Sequence, residues 1–198
     1  MMLAELYEKN PNYKPLGNDC FAHVSAIIGC QPLRHPAFAR TAEWFEPPIF
    51  GKSVLIGPGS EIFAGAEIGD ETVICNGASV REATKIGSRC VIGRMAAISH
   101  DVKIGDRVKV MDQAHISGKS VIGDDTFVAQ HTIFANDKDP REYVWSDQFS
   151  GPTIGKKVLL GAGCYVGADI QVGDGAIIAA MAIVTKHVQP GAIIKGKW

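Results

Sequence analysis

An apolar residue recurs every six positions along most of this chain of 198 residues. Counting in sixes from Ile56 to Phe134, 13 of the 14 positions are Ile or Val. The same phase resumes at Ile154, Leu160, Val166, Val172, Ile178 and Val184. The residue two before each of the first fourteen positions is small or β-branched. A fixed internal repeat of this kind indicates a solenoid, whereas an ordinary antiparallel sheet would alternate with period two.

One large and one small inward residue in every six predict a triangular coil of three short strands, with one repeat unit to each strand. Successive coils should stack ~4.8 Å apart, which is the spacing of paired strands. Glycine repeatedly follows the apolar position, and there we expect a tight bend that uses the freedom of glycine at φ > 0. These glycines are Gly57, Gly69, Gly87, Gly93, Gly105 and Gly123. The predicted fold is all-β, a parallel β-helix of hexapeptide repeats.

A chain of this length fits a single domain, which we place over residues 1–198. Two segments interrupt the repeat: a proline-rich loop at 30–51 and an excursion loop at 135–153, and loops this long in a rigid scaffold are commonly functional. A short N-terminal helix in "LAELYEK" could cover the first coil. The expected segments are an N-terminal cap (1–17), a first unit with its irregular loop (18–55), regular coils (56–134), the excursion loop (135–153), C-terminal coils (154–189) and a tail (190–198).

Composition limits the partners and the compartment. The net charge is −1, from 20 basic and 21 acidic residues that are interleaved, so the chain has no electrostatic footprint for nucleic acid or an anionic membrane. The five cysteines are odd in number and form no CxxC pair, which favours a reducing compartment. No apolar run approaches the ~20 residues of a membrane span. We therefore expect a cytoplasmic protein with no nucleic-acid partner and no membrane partner.

The segment "ISHDVKIG" places two titratable residues, His100 and Asp101, inside one repeat unit. Gly118 follows His100 by three repeat units, which is one full coil, so it should lie directly above the histidine. This arrangement sets a general base beside a backbone N–H that no side chain obstructs, as acyl transfer to an amine or hydroxyl requires. The alternative interpretation is a solvated histidine in a turn.

On these residues the chain resembles the hexapeptide-repeat acyltransferase superfamily, and among its members most closely the bacterial sugar-nucleotide N-acetyltransferases. The resemblance implies a left-handed β-helix and a homotrimer, although the general crossover rule predicts the opposite hand. "ISHDVKIG" is similar to the His-acid segment of the UDP-N-acetylglucosamine acyltransferases of lipid A synthesis and of the sugar-nucleotide 4-N-acetyltransferases. The resemblance implies that His100 is the general base, that Asp101 orients it, and that the Gly118 N–H stabilises the oxyanion.

The excursion loop carries a second resemblance. Its "NDKDPR" segment is similar to a loop of sugar-nucleotide 3-N-acetyltransferases, matched at Asn136, Pro140 and Arg141. An arginine there could clamp a diphosphate with two hydrogen bonds, or the segment could be a surface turn. His115 and His131 could contact substrate, although each could equally be structural or face solvent.

The resemblance also implies acetyl-CoA as the donor, with its pantetheine arm over small residues between subunits. Ala162 and Ala180 could form such a strip, and Lys186 or Lys195 could meet phosphate. We expect no metal, because a zinc site of the γ-class carbonic anhydrase type needs a closely spaced histidine pair, whereas His100, His115 and His131 occupy three phases of the repeat.

The sequence therefore favours an acetyl-CoA-dependent N-acetyltransferase acting on a UDP- or dTDP-linked amino sugar. Two alternatives stay open: O-acetylation of a sugar or other small hydroxyl compound, and a non-catalytic β-helix scaffold.

Overall fold

A computed structural model of the chain describes residues 3, 7–33, 44–138 and 149–198. In these residues the strands form three sheets that run the length of the molecule. Sheet 1 contains β1 (Tyr13–Gly17), β2 (Cys20–His23), β5 (Leu55–Ile56), β8 (Val73–Ile74), β11 (Val91–Ile92), β14 (Lys109–Val110), β17 (Phe127–Val128), β20 (Leu159–Leu160), β23 (Ile177–Ile178) and β25 (Ile193–Ile194).

Sheet 2 contains β3 (Ile27–Cys30), β6 (Glu61–Phe63), β9 (Ser79–Val80), β12 (Ala97–Ile98), β15 (His115–Ile116), β18 (Ile133–Phe134), β21 (Tyr165–Val166) and β24 (Ile183–Val184). Sheet 3 contains β4 (Ile49–Phe50), β7 (Glu67–Ile68), β10 (Lys85–Ile86), β13 (Lys103–Ile104), β16 (Val121–Ile122), β19 (Thr153–Ile154) and β22 (Gln171–Val172). The chain visits sheets 1, 2 and 3 in turn, and apart from β1 with β2 the strand pairs are parallel. This is the left-handed parallel β-helix that the repeat and the resemblance predicted.

The pairing register follows a coil of three repeat units. Ile74 pairs with Ile56 on one side and Ile92 on the other. Where the excursion loop interrupts the repeat, Ile122 pairs with Ile154 instead, so the stack continues without a gap. The insertion lengthens one coil and leaves the pairing of its neighbours unchanged.

The interior consists of the two predicted columns. The large apolar residues from Ile56 to Phe134 are at most 5% exposed, and the small residues two before them are buried as well. The polar members of the small column bond to backbone carbonyls. The hydroxyls of Ser60 and Thr84, for example, donate to the carbonyls of Cys75 (2.9 Å) and Ser99 (2.7 Å). These bonds meet the requirement that a buried polar group be hydrogen-bonded.

The expectation that the repeated glycines supply φ > 0 is wrong. The left-handed residue instead lies three positions before the large apolar residue. Other glycines occupy that position in some repeat units, as at Gly59 (φ 66°), and ordinary side chains occupy it in others, as at Ala83 (φ 56°) and Met95 (φ 55°). The repeated glycines are required for another reason. A Cβ on Gly69 would lie 2.6 Å from the carbonyl carbon of Gly87, and one on Gly93 would lie 2.5 Å from the backbone nitrogen of Asp112. Stacked coils pass too closely at these corners to admit a side chain.

Aspartates join successive coils at two of the three edges of the prism. On the edge between sheets 3 and 1, the N–H of Ser88 donates to Oδ1 of Asp106 at 2.8 Å. On the edge between sheets 1 and 2, the N–H of Arg94 donates to Oδ1 of Asp112 at 2.9 Å. These carboxylates occupy turn N–H groups that the strands leave unpaired.

The two ends of the solenoid differ from the regular coils. β1 pairs antiparallel with β2 beside the first coil, which the sequence did not predict. Leu3 and Tyr7 are helical, while residues 4–6 of the predicted helix lie outside the described residues. At the other end, Ile193 pairs with Ile177 and Lys197 bridges to Ile183, so residues 190–198 continue the coil. Among the described residues, no helix has the length and apolarity to cross a membrane.

Both irregular loops leave the same edge of the prism. We call the residues between each strand of sheet 2 and the next strand of sheet 3 the 2–3 edge. Residues 31–48 lie between β3 and β4, and residues 135–152 lie between β18 and β19, because Thr153 already belongs to β19. The loop that we expected at 30–51 is shorter in the structure, because Phe50 near its end belongs to β4 and pairs with Ile68. The 2–3 edge is thus where the repeat admits insertions.

Candidate active site

His100 lies on the 2–3 edge, in the turn between β12 and β13. Asp101 occupies the left-handed position of that turn (φ 58°), a conformation that aspartate tolerates better than most residues. Its Oδ2 is 2.8 Å from Nδ1 of His100, whose side chain is only 12% exposed. A carboxylate can only accept a hydrogen bond, so Nδ1 carries the hydrogen and Nε2 is left as the proton acceptor.

Gly118 lies directly above this imidazole, as the predicted coil requires. A Cβ at Gly118 would lie 2.9 Å from Cε1 and 3.0 Å from Nε2 of His100. The Gly118 N–H has no hydrogen-bond partner in the described part of the chain, unlike the N–H groups that aspartates occupy on the other two edges. Gly118 therefore brings an unoccupied donor next to a candidate base.

Phe149 at the end of the excursion loop packs on His100. The two rings meet edge to face with their centroids 5.7 Å apart, and Nζ of Lys119 lies 4.8 Å from the Phe149 ring centroid. A cation at that distance is attracted to the ring face. Phe149 thus covers the imidazole on one side and lowers its exposure to water.

Sequence reasoning missed Glu82, which lies one coil below His100. Its carboxylate is 1% exposed and accepts two hydrogen bonds from Arg81, from Nη2 at 2.8 Å and from Nε at 3.1 Å. Its carbonyl accepts the N–H of Asp101 at 3.1 Å. The signal that could have identified it is its position three repeat units before His100.

A cavity of about 380 Å³ opens on the same edge beyond the excursion loop. Its lining includes Lys138, Tyr165, Ala168, Thr185 and His187. Ala168 lies three coils above His100 in the stack, which corresponds to a separation of ~14 Å along the axis. Lys138 is held by an ion pair with Asp169 at 2.7 Å, and this bond lowers the pKa of Asp169.

The predicted acceptor-binding residues do not all meet at His100. Asn136 begins the excursion loop, and its carbonyl accepts the N–H of Ser150 at 3.1 Å, which closes the base of the loop. Arg141 and Pro140 lie outside the described residues. His115 faces outward from sheet 2 beside the 2–3 edge, and His131 lies in a turn on the edge between sheets 1 and 2.

The predicted donor-binding residues divide between two edges. Lys186 lies on the 2–3 edge, four coils above His100 in the same column, and is exposed. Ala162, Ala180 and Lys195 lie on the edge between sheets 1 and 2, because each follows a strand of sheet 1. One chain therefore does not bring these three residues to His100, and their role stays a prediction.

The described residues contain no group of three His, Cys, Asp or Glu side chains placed to hold a metal ion. The thiols are not activated either. Burial raises the pKa of Cys20, Cys75, Cys90 and Cys164, so these sulfurs are held as poorly nucleophilic thiols. His100, with Nδ1 held by Asp101 and Nε2 next to the Gly118 backbone donor, is arranged for proton transfer.

Two family models match segments of the repeat. "Bacterial transferase hexapeptide (six repeats)" matches residues 151–186, and "Hexapeptide repeat of succinyl-transferase" matches residues 48–82. A serine acetyltransferase of Mycobacterium tuberculosis is 42% identical over 45 residues, a segment that spans 23% of this chain and 20% of that protein.

Solved structures are similar over most of the chain. A UDP-N-acetylglucosamine acyltransferase from Campylobacter jejuni matches with a TM-score of 0.65 at 19% identity, over 89% of this chain and 71% of that one. A second UDP-N-acetylglucosamine acyltransferase matches with a TM-score of 0.57 at 16% identity, over 88% of this chain and 70% of that one. At these identities the similarity concerns the fold.

Proposed function

The chain belongs to the hexapeptide-repeat acyltransferase superfamily, and from that premise we propose that it transfers an acetyl group from acetyl-CoA to the amine of a UDP- or dTDP-linked amino sugar. The observation that carries the proposal is the arrangement of three groups. Asp101 holds Nδ1 of His100, and Nε2 of the same ring faces Gly118, whose N–H has no partner in the described residues. A proton acceptor and an oxyanion donor are the two groups that direct acyl transfer requires.

The reaction runs in one displacement. The amine nitrogen attacks the thioester carbonyl carbon, and Nε2 of His100 takes the proton that the nitrogen loses. The Gly118 N–H donates to the oxygen on which negative charge develops. The C–S bond then breaks, and coenzyme A leaves as the thiol after His100 returns the proton. A positioned base typically contributes ~10²–10⁴ in rate and one oxyanion donor ~10²–10³.

The donor is proposed to lie along the 2–3 edge, with its thioester at His100 and its arm directed toward the cavity at Lys138 and Thr185. The ~14 Å between these points suits a long, flexible arm. Lys186, one coil further on, is then placed to meet a phosphate. Three residues stay candidates on the acceptor side. Asn136 lies on the 2–3 edge, His115 lies on the adjacent face of sheet 2, and Arg141 belongs to the excursion loop by its sequence position.

We also propose a homotrimer. Phe127, Leu159, Ile177 and Ile193 follow one another on the outer face of sheet 1, and each is an exposed large apolar side chain. Contiguous apolar surface of this kind is typical of subunit interfaces. A neighbouring subunit is also what would place Ala162, Ala180, Lys195 and His131 near a site formed on the 2–3 edge. Sedimentation equilibrium of the native chain tests the trimer.

A second candidate is O-acetylation of a small hydroxyl compound. The observation that favours it is the 42% identity over 45 residues to a protein named serine acetyltransferase. The same base and oxyanion donor would serve a hydroxyl nucleophile, so only the acceptor separates the two reactions. A non-catalytic scaffold would use neither group and should not bind acetyl-CoA.

The test is thiol release from acetyl-CoA with a panel of UDP- and dTDP-linked 3-amino and 4-amino sugars, and with serine and sugar alcohols. We expect turnover with one amino sugar and a loss of at least ~10²-fold in His100→Ala. His23→Ala is the matched control, because His23 also bonds a near neighbour, Ser25, at 2.8 Å but lies on the first coil. Turnover with hydroxyl acceptors alone would favour the second candidate. Unchanged turnover in His100→Ala would refute the role of the histidine.

A further inference from the structure

Arg81 and Glu82 form an ion pair one coil below His100, and stability does not explain why its carboxylate is buried. Glu82 is almost fully buried, yet Ala64, three repeat units earlier in the same column, is a small apolar residue that is buried equally well. Replacing a buried ion pair by apolar side chains is often neutral or stabilising, because both charges must lose their hydration. The pair is therefore better explained by what it does to the arginine.

Glu82 fixes the guanidinium of Arg81. The carboxylate occupies Nε and one terminal nitrogen, which are two of the positions through which arginine donates. Phe63 supports the group from the coil below, with its ring centroid 5.6 Å from the guanidinium carbon. The Arg81 side chain nevertheless stays 41% exposed, so a cation of fixed orientation is open to solvent beside the active site.

The coil above Arg81 adds a neutral donor in the same column. Ser99 follows Arg81 by three repeat units, immediately precedes His100 and is partly exposed, whereas Ser117, one coil further on, is buried. An anion held at Arg81 would thus lie next to one hydroxyl group and within one coil spacing, ~4.8 Å along the axis, of the imidazole. Planar guanidinium groups that are already oriented bind phosphate and carboxylate well.

We propose that Arg81 binds an oxyanion of the acceptor, a phosphate or a carboxylate, on the N-terminal side of His100. This inference rests on the proposed function in that it assigns the acceptor side of the same site. The donor cavity lies on the C-terminal side, beyond the excursion loop, so the two substrates approach His100 from opposite directions along one edge. Glu82 acts through Arg81 as a positioning residue.

The test measures binding and needs no turnover, so its outcome is separate from that of the acetylation assay. Isothermal titration calorimetry with UDP, inorganic pyrophosphate and glucuronate compares the native protein, His100→Ala and Arg81→Lys. We expect one class of anion to bind the native protein and His100→Ala equally, and at least tenfold more weakly to Arg81→Lys, since lysine lacks the planar fork. Preference for UDP and pyrophosphate identifies a phosphate as the group bound, and preference for glucuronate identifies a carboxylate.

Arg107→Lys is the matched control. Arg107 also makes two hydrogen bonds to one carboxylate, that of Asp125, and its side chain is 40% exposed, but it lies away from the 2–3 edge. Anion binding that falls equally in both lysine variants, or in neither, would overturn the proposal, as would a native protein that binds none of the three anions. If Arg81→Lys does not fold, the double variant Arg81→Gln/Glu82→Gln removes both charges together. Loss of binding at native melting temperature then supports the proposal, and retained binding overturns it.

Discussion

Gly118→Ala tests the geometry of the site more sharply than removal of the histidine. The new Cβ would lie 2.9 Å from Cε1 and 3.0 Å from Nε2 of His100. Ordinary contacts between such atoms begin at ~3.5 Å, so the imidazole must withdraw by ~0.6 Å or more. A displacement of ~1 Å at a reacting group can lower the rate 10²-fold. We therefore expect kcat to fall by between about tenfold and 10²-fold.

The stability of this variant should change little. Gly118 is not among the residues with positive φ, so alanine fits its backbone conformation, and the reduced freedom of the unfolded chain would stabilise by ~0.4–1 kcal/mol. Displacement of the imidazole opposes this gain, because Asp101 holds the ring and Phe149 packs on it. The expected signature is a lower kcat with a melting temperature close to the native value, measured by thiol release and by thermal unfolding.

Gly59→Ala is the control for this substitution. A Cβ at Gly59 would meet nothing within 4 Å, and its positive φ is one that Met95 already adopts at the matching position two coils above. We expect its kcat to stay at the native value. Native kcat in Gly118→Ala would refute the placement of the imidazole in the reaction, and a kcat loss of equal size in both variants would show that the effect is not local.

Three further predictions concern the core, the edges and the donor side. Ile116→Ala removes a fully buried side chain and should lower the free energy of unfolding by ~2–5 kcal/mol in chemical denaturation. Asp124→Asn should lower the melting temperature at about pH 7, and by less once the pH falls below the folded-state pKa of Asp124. Lys156 holds the Asp124 pKa below its unfolded value of ~3.9, so this stabilisation is complete above that value and is lost as the pH falls through the folded-state pKa. Lys138→Ala breaks an exposed ion pair of a kind that contributes little to stability, so it should leave the melting temperature unchanged and raise KM for acetyl-CoA, and an unchanged KM would contradict the donor site.

The sequence predicted the fold and the contact between His100 and Gly118 for one reason. In a stack of equal coils, residues three repeat units apart become neighbours, so a spacing can be converted directly into a contact. The same rule places Glu82 one coil below His100, but spacing alone does not indicate that a charged residue in a turn is buried. Burial with its partner Arg81 is a property of the tertiary structure that the repeat pattern does not contain.

Hydrophobic periodicity predicts which side chains point inward and says little about backbone torsions. The repeat pattern therefore indicated correctly that glycines such as Gly69 are required, but the predicted reason, a positive φ, was wrong. The actual reason is the close passage of stacked coils, which depends on packing in three dimensions. Residues 190–198 were expected to form a tail for a related reason. The last coil is shorter than the others, with Ile194 paired to Ile178, so counting in sixes loses the phase there.

Because both substrates are proposed to lie along one edge, the distances between their binding groups are whole multiples of the coil spacing. Three spacings of ~4.8 Å separate His100 from Ala168 at the cavity. Loss of one complete coil between them would shorten that interval by a single step while the strands above and below still paired. Substitutions can change which groups line the edge, but the length of the donor arm that fits is selected by an integer number of coils.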